Sequence, residues 1–267
     1  MIAFPNAKIN IGLNVVSKRP DGYHNLESVF LPVELSDILE IVPSSNLEFT
    51  SSGLEMDGDP EHNLVLKAYR LLEKDFDIPS VKMHLHKMIP TGAGLGGGSS
   101  DAAFMLKMLN KQFHLKLNNG ILQNYATQLG ADCPFFIDNK PAFASGIGDQ
   151  LEPIENDLSA YKIVIVKPDI SISTIEAYRN IIPQKSVFNL KKIVGLPVES
   201  WKDTVKNDFE KNIFPRYPEI KKIKEKLYEL GAVYASMSGS GSAVYGIFRH
   251  LPTNLDNNLP KGIFIYR

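Results

Sequence analysis

The stretch "PTGAGLGGGSSDAA", Pro90 to Ala103, holds five glycines and two serines in fourteen residues. Glycine loses more conformational freedom on folding than any other residue and puts no side chain into a core, so such a run is there for what its backbone does. Three designs for holding a phosphate group compete. Gly92, Gly94 and Gly97 satisfy G-x-G-x-x-G, but that fingerprint needs a buried parallel strand before it and an acid about 20 positions after it. The preceding "VKMHLHKMIP" alternates with Lys82, His84 and His86, as a half-exposed strand does, and the residues around Leu117 offer no acid. A Walker loop needs G-K-[ST] after the glycines, and Gly98-Ser99-Ser100 lacks the lysine. The third design is a helix N-terminus. Gly96 to Ser100 run straight into "SSDAAFMLKMLNKQF", whose Ala102, Met105, Leu106 and Leu109 share one face. Free N–H groups and the positive end of the helix dipole then face an anion, and glycines let the backbone approach it closely. Asp101 in the first turn competes with that anion, and a metal ion between them would relieve the conflict. The plain alternative is a flexible loop ending in a serine N-cap.

Working outward, "AKINIGLNVV" alternates, with Ile9, Ile11, Leu13 and Val15 on one face and Lys8, Asn10, Gly12 and Asn14 on the other. Period two predicts a strand with one solvated face. "KRPDGYHNLES" supplies a turn at Pro20, Asp21 and Gly22. "DILEIV" and "LEFTS" read as further strands, "HNLVLKAYRLLEKDF" as a helix capped by Asn63, and "GILQNYATQLG" as a helix stopped by Gly130. "AFASGIGDQLEPI" is a hairpin around a glycine turn. The character changes near Pro153 to Asp157, where "YKIVIVKP" begins a fresh strand, so a lobe boundary is expected at 155/156. Beyond it, "DTVKNDFEKNIF" and "PEIKKIKEKLYELG" read as amphipathic helices, and "AVYASMSGSGSAVYGIF" as two strands around a second glycine-serine loop. Strands mixed with helices without strict alternation predict an α+β fold.

The 267 residues are 43% hydrophobic and 22% charged, with a net charge of -1. That composition supports a proper core and gives no reason to expect nucleic acid or an anionic membrane as partner. The lone cysteine, Cys133, excludes an internal disulfide framework and a thiolate zinc site. No basic segment followed by an apolar run opens the chain, and no apolar stretch nears the length of a membrane span, so a cytoplasmic protein is expected. His84 and His86 share a strand face without a third ligand, which reads as surface rather than metal site.

These blocks resemble the GHMP kinases. "PTGAGLGGGSSDAA" looks like their second motif. "AKINIGLNVVSKRPDGYHNLESVF", "LGADCPFF", "NDFE" and "SMSGSGSAVYGIF" are similar to motifs of the branch that phosphorylates a cytidine diphosphate methylerythritol, and they stand in family order across essentially the whole chain. The resemblance implies a two-lobed α+β fold. Residues 1–155 would form an ATP-binding lobe like ribosomal protein S5 domain 2, and residues 156–267 a ferredoxin-like lobe. It implies ATP-dependent phosphorylation of the methylerythritol 2-hydroxyl in the non-mevalonate route to isoprenoid precursors, with Mg²⁺ on the phosphates. The expected partner is this small molecule, and monomer and homodimer both stay open.

By resemblance, Asp132 is the base that takes the hydroxyl proton, and Lys8 stabilises the attacking oxygen and incoming phosphoryl group. A turn-forming aspartate is the plain alternative for Asp132. Asn10 flanks the substrate hydroxyl. Tyr23 and His24 fall at the cytidine end, where His24 offers a donor and an acceptor to the base edge and an aromatic ring stacks. Tyr178 supplies a second aromatic, with a packing tyrosine as alternative. The phosphates fall to Gly92, Ala93, Gly94, Leu95, Gly96, Gly97, Gly98, Ser99 and Ser100. Asn63 and Lys87 match positions near the nucleotide, Lys87 as a charge neutralising phosphate or, more plainly, a solvated lysine. Ser238 and Gly239 open the second glycine loop, which would face the first and close the substrate site, or else form a simple hairpin turn. No residue is expected to be a dedicated metal ligand. Cys133 stands where such sequences often have valine and should pack as a small hydrophobe.

Overall fold

A computed structural model describes residues 1–56, 59–186, 188–193 and 196–267. The chain forms two compact units that interleave in sequence: Met1–Lys8, Pro32–Thr91 and Gly96–Lys140 in the first, Ile9–Leu31, Gly92–Leu95 and Pro141–Arg267 in the second. A single cut at 155/156 does not describe this division. The reason lies in two long strands, β2 (Asn6–Lys18) and β3 (His24–Ser36), whose inner parts belong to the second unit.

The first unit is built on a sheet of β1 (Ile2–Ala3), β4 (Ile38–Pro43), β6 (Val81–Lys87) and β5 (Glu48–Gly53), in that spatial order. β4 runs antiparallel to β6, with Ile38 opposite His86, while β5 runs parallel to it, with Gly53 opposite Lys87. β6 buries Val81, Met83 and Leu85, and the alternation read from sequence holds along it. The unit's helices are α1 (Leu64–Glu73), α2 (Gly97–Gln112), α3 (Asn119–Leu129) and α4 (Phe135–Asp138). Asn63 caps α1 by accepting the Val65 N–H at 2.9 Å, and Gly130 ends α3.

The second unit contains the hairpin β7 (Ala142–Ser145) and β8 (Gln150–Pro153), with β7 paired to β3 so that Ser28 stands opposite Ala144. Then come β9 (Lys162–Lys167), α5 (Thr174–Tyr178), α6 (Leu190–Ile193), α7 (Trp201–Thr204), α8 (Glu210–Ile213), α9 (Pro218–Glu229), β10 (Tyr234–Met237), β11 (Val244–Phe248) and β12 (Phe264–Tyr266). The sheet order is β10-β11-β9-β12, antiparallel throughout, and Ile220, Ile223 and Leu227 of α9 join Ala235, Met237 and Val244 in its core. Among the described residues, no helix is long and apolar enough to cross a membrane.

Two readings from sequence are corrected. The polar face of β2 is not solvated: Lys8 is 3% and Asn10 2% exposed. The helix expected over "DTVKNDFEKNIF" is broken into α7 and α8, because Asn207 leaves helical geometry to form a parallel bridge with Leu13.

Candidate active site

In the first unit, the helix α2 begins at Gly97, two residues earlier than the serine cap that sequence suggested. Gly96 precedes it with φ 69°, a conformation L side chains rarely adopt, and its N-cap role involves no side chain. A Cβ on Gly96 would lie 3.0 Å from the Phe136 ring and 3.2 Å from Lys8 Cε. The loop therefore passes directly over the Lys8 stem, and glycine is required for that approach. Gly98 is exposed, and an added Cβ would make an ordinary contact with Leu64 at 3.8 Å. The Ser100 hydroxyl is buried without a hydrogen-bond partner. Bare helix N–H groups beside an orphaned hydroxyl fit phosphate oxygens.

Lys8 Nζ lies 3.2 Å from Asp132 Oδ2. The lysine is buried and the aspartate is about one-third exposed, so the carboxylate edge stays open to an incoming group while the lysine stem is fixed. Successive turns hold Asp132 in place: Cys133 N–H donates to Gly130 O at 3.1 Å, and Phe136 N–H donates to Cys133 O at 3.2 Å. Cys133 is buried and its thiol is pushed up to about 12 by that burial, in keeping with an inert packing residue.

Lys87 is neither a solvated lysine nor a charge held out towards phosphate. It is buried, with its ammonium bonded to Asp37 and, at 2.8 Å, to Asp101 Oδ2. Asp37 is fully buried and also accepts the Met88 and Ile89 N–H groups at 2.6 and 2.8 Å. The Asp101 carboxyl is pushed up to about 7, chiefly by burial, with the Asp37 carboxylate adding to the effect and Lys87 opposing it. Burial lowers and the two carboxylates raise the Lys87 ammonium, the net direction being upward. A Cβ on Gly97 would come within 3.4 Å of Lys87 Nζ, so this trio lies directly under the start of α2. Lys87 thus relieves the conflict anticipated between Asp101 and an anion. Among the described residues, no group of three or more His, Cys, Asp or Glu side chains could hold a metal.

Asn63 lines a cavity of about 320 Å³ with Phe49, Ser52, Gly53, Leu54 and Met56. Its chain neighbour Leu64 comes within 3.8 Å of where a Cβ on Gly98 would stand.

In the second unit, Asn10 donates from Nδ2 to Ser28 Oγ at 2.9 Å, and that hydroxyl donates to Gly12 O at 2.6 Å. The Ser238 hydroxyl accepts the Asn10 N–H at 3.3 Å and donates to Gly94 O at 2.8 Å. Gly94 has φ 75°, and a Cβ there would fall 2.0 Å from Ser238 O. The start of the first glycine loop and the second glycine loop therefore meet backbone to backbone, with Ala243 N–H donating to Ala93 O at 3.2 Å. A Cβ on Gly92 would meet only Ser171 Oγ, at 3.3 Å. Leu95 is a buried core residue, which leaves its backbone as the part able to serve a ligand. Gly239 sits beside Asn10 Oδ1, 3.2 Å from where its Cβ would be.

Tyr23 is exposed in the turn before β3, and Asp21 accepts its N–H at 3.1 Å. His24 opens β3 and stacks on Tyr178, ring centroids 4.8 Å apart and planes 17° from parallel. Burial and Lys18 hold its imidazole below the ordinary value, towards the neutral form. At this separation Tyr178 braces His24, and no third ring fits between them; a sandwich of a base between these two rings is not the arrangement present.

Sequence reasoning missed Asp37, Ser28 and Asn207. Asp37 stands where β3 turns into β4 and reads only as the start of the strand "DILEIV"; its partner is 50 residues away. The "NDFE" block was the only signal for Asn207.

Residues 63–146 match the family model of the GHMP kinases N terminal domain, and residues 197–256 that of the GHMP kinases C terminal. A 4-diphosphocytidyl-2-C-methyl-D-erythritol kinase of Bacteroides fragilis is 56% identical over 252 residues, covering 93% of this chain and 92% of that protein. One of Bacteroides thetaiotaomicron is 52% identical over 271 residues, covering 100% and 99%. A crystal structure of 4-(cytidine 5'-diphospho)-2C-methyl-D-erythritol kinase superposes with a TM-score of 0.81 at 33% identity, covering 92% of this chain and 90% of that one. The mevalonate kinase of Methanococcus jannaschii, 12% identical with a TM-score of 0.67, shares the fold. With these motifs, this fold and relatives matched along nearly their whole length, the chain belongs to the GHMP kinases, in the 4-diphosphocytidyl-2-C-methyl-D-erythritol kinase family.

Proposed function

We propose that this protein transfers the γ-phosphoryl group of ATP to the 2-hydroxyl of 4-diphosphocytidyl-2-C-methyl-D-erythritol. The observation that carries the reading is the Lys8–Asp132 pair, 3.2 Å apart, with the Lys8 stem against Gly96 at the mouth of the bare helix N-terminus. Asp132 takes the hydroxyl proton as the oxygen attacks phosphorus in line, and no covalent enzyme intermediate forms. Lys8 stabilises the charge that develops on the transferring group, where burial makes it more effective than in water. The N–H groups from Gly96 to Ser99, with the unpartnered Ser100 hydroxyl, hold the phosphates, and the Asn63 cavity takes the adenine end. Mg²⁺ arriving with ATP would neutralise phosphate charge; the exposed shelf at Gly98 leaves space for it, and Asp101, already bonded to Lys87, is not its ligand.

Asn10, Ser238 and Gly239 orient the methylerythritol. His24, braced by Tyr178, reads the cytosine edge, and exposed Tyr23 supplies a stacking face. Residues 1–155 and 156–267 are proposed as the family's two modules, a division supported by the two family models falling on either side of it. A cytoplasmic setting suits a small-molecule kinase supplied with ATP.

The test is ADP release from Mg-ATP with the cytidylated substrate, and with mevalonate, homoserine and galactose as comparisons. Release only with the cytidylated substrate is expected. Release with a comparison substrate instead sinks the substrate assignment, and no release with any of them favours a binding module without chemistry.

A further inference from the structure

The "NDFE" block, Asn207 to Glu210, touches β2, the Ser238–Gly239 turn and the Tyr178 ring. Asn207 is 1% exposed, and its amide donates to Met237 O at 2.9 Å and Gly239 O at 2.8 Å. Its Oδ1 accepts the Phe209 N–H at 3.0 Å, so the amide is fully used. One side chain thus grips the carbonyls on either side of Ser238. Asp208 Oδ2 accepts the Val15 N–H at 2.9 Å, fixing the block to β2. Glu210 Oε1 accepts the Met237 N–H at 2.9 Å and the Ser236 hydroxyl at 3.0 Å, while Lys224 holds Oε2 at 2.5 Å. Phe209 meets the Tyr178 ring edge to face, centroids 4.8 Å apart at 80°, and Tyr178 is the ring stacked on His24.

We infer that Asn207 and Phe209 are positioning residues with separate duties: Asn207 sets the Ser238–Gly239 turn for phosphoryl transfer, and Phe209 sets the Tyr178–His24 stack for base recognition. This rests on the proposed reaction. A displaced Ser238 loses its bonds to Asn10 N–H and Gly94 O, which disturbs alignment rather than cytidine binding. A slack Tyr178 frees His24 and weakens binding without moving the phosphoryl-transfer groups. The two variants therefore separate kcat from KM, which a merely structural defect would not do.

Asn207→Asp keeps the acceptor for Phe209 N–H and turns the two donated bonds into repulsions. Phe209→Leu keeps an apolar side chain and removes the ring. Steady-state kinetics with ATP and the cytidylated substrate, normalised to folded protein by circular dichroism, should show kcat down about 30-fold or more in Asn207→Asp with substrate KM changed less than about threefold. Phe209→Leu should raise substrate KM about fivefold or more and leave kcat within about threefold. The His24 imidazole NMR signal, assigned with a His24→Asn variant, should shift in Phe209→Leu and not in Asn207→Asp. Parallel losses of kcat and KM in both variants, or a His24 signal unmoved by Phe209→Leu, overturns the inference. If the wild-type protein leaves the cytidylated substrate untouched, the substrate reading fails and the His24 signal still decides whether Phe209 braces the stack. If Asn207→Asp does not fold, the Phe209→Leu kinetics and signal decide its half, and Ser238→Ala decides the other by the same kcat fall without buried repulsion.

Discussion

Replacing Asp101 by asparagine should flatten the dependence of stability on pH. The Asp101 carboxyl sits at about 7 in the folded protein, against an ordinary 3.8, because burial disfavours its charge more than Lys87 favours it. The charged neighbours facing it are Lys87 and Asp37. The folded pKa lies above the unfolded one, so between pH about 4 and 7 the folded chain holds a proton that the unfolded chain has released. Stability from this group is complete below pH about 4 and is lost as pH rises through 7. Each pH unit between the two values is worth about 1.4 kcal/mol, so the loss approaches about 4 kcal/mol. Lys87, raised above 10.5, stays protonated throughout and adds no slope there. Urea unfolding followed by circular dichroism from pH 4.5 to 8.5 measures the effect. The difference between wild type and Asp101→Asn should swing by a few kcal/mol in favour of the variant towards high pH, all other groups contributing equally to both. Asp101 Oδ1 has no partner, so an amide nitrogen meets no donor there. Asp37→Asn is the opposite case. Both its oxygens accept from N–H groups, and an amide nitrogen in that setting breaks a buried pair at a cost of about 3–5 kcal/mol at every pH. Parallel pH curves for wild type and Asp101→Asn, or equal tolerance of the two substitutions, would refute the reasoning.

Asp132→Asn should keep the melting temperature within about 2 °C and lower kcat by about 10²–10⁴, as loss of a positioned base does; near-normal turnover removes Asp132 from the mechanism. Gly94→Ala drives a Cβ to 2.0 Å from Ser238 O at φ 75°, so it should destabilise by about 3 kcal/mol or more, read as a lowered melting temperature. Gly98→Ala, with only an ordinary contact to Leu64 and helical geometry, should leave the melting temperature unchanged or slightly higher and raise the KM for ATP. Cys133, with its thiol at about 12, should resist iodoacetamide at pH 8 and react once the protein is unfolded in urea.

Local chemistry was legible in the sequence where the partner is close along the chain. The Asn63 cap, the Gly130 stop, the β7–β8 hairpin and the helix after the glycine loop all rest on contacts within a few residues. The Lys8–Asp132 pair was legible only as a resemblance, since nothing in local spacing joins residues so far apart. The fate of Lys87 was not legible at all. A lysine at a strand end looks solvated until Asp37, from a different bend of the chain, is found beneath it. The polar face of β2 misled for the same reason: Lys8 and Asn10 suit water or a built site equally well, and only tertiary placement decides. The helix expected across Asn207 failed because the Leu13 backbone takes the Lys206 carbonyl and the Asp208 N–H, the groups that helical continuation would need.

The placement of β2 has a consequence for how the polypeptide is made. Leu13 pairs with Asn207, and Tyr245 Oη donates to Asn10 O at 2.8 Å, so β2 leaves the ribosome well before the residues that complete it. Leu13 and Val15 are buried in a cluster with Val164, Phe209, Met237 and Val244, residues that emerge much later. Folding of the second unit is therefore largely post-translational, with long loops to close before native contacts repay their entropy. Chains that stop short of Asn207 carry an apolar strand with unfilled backbone bonds, the form of nascent chain that holding chaperones capture and proteases remove.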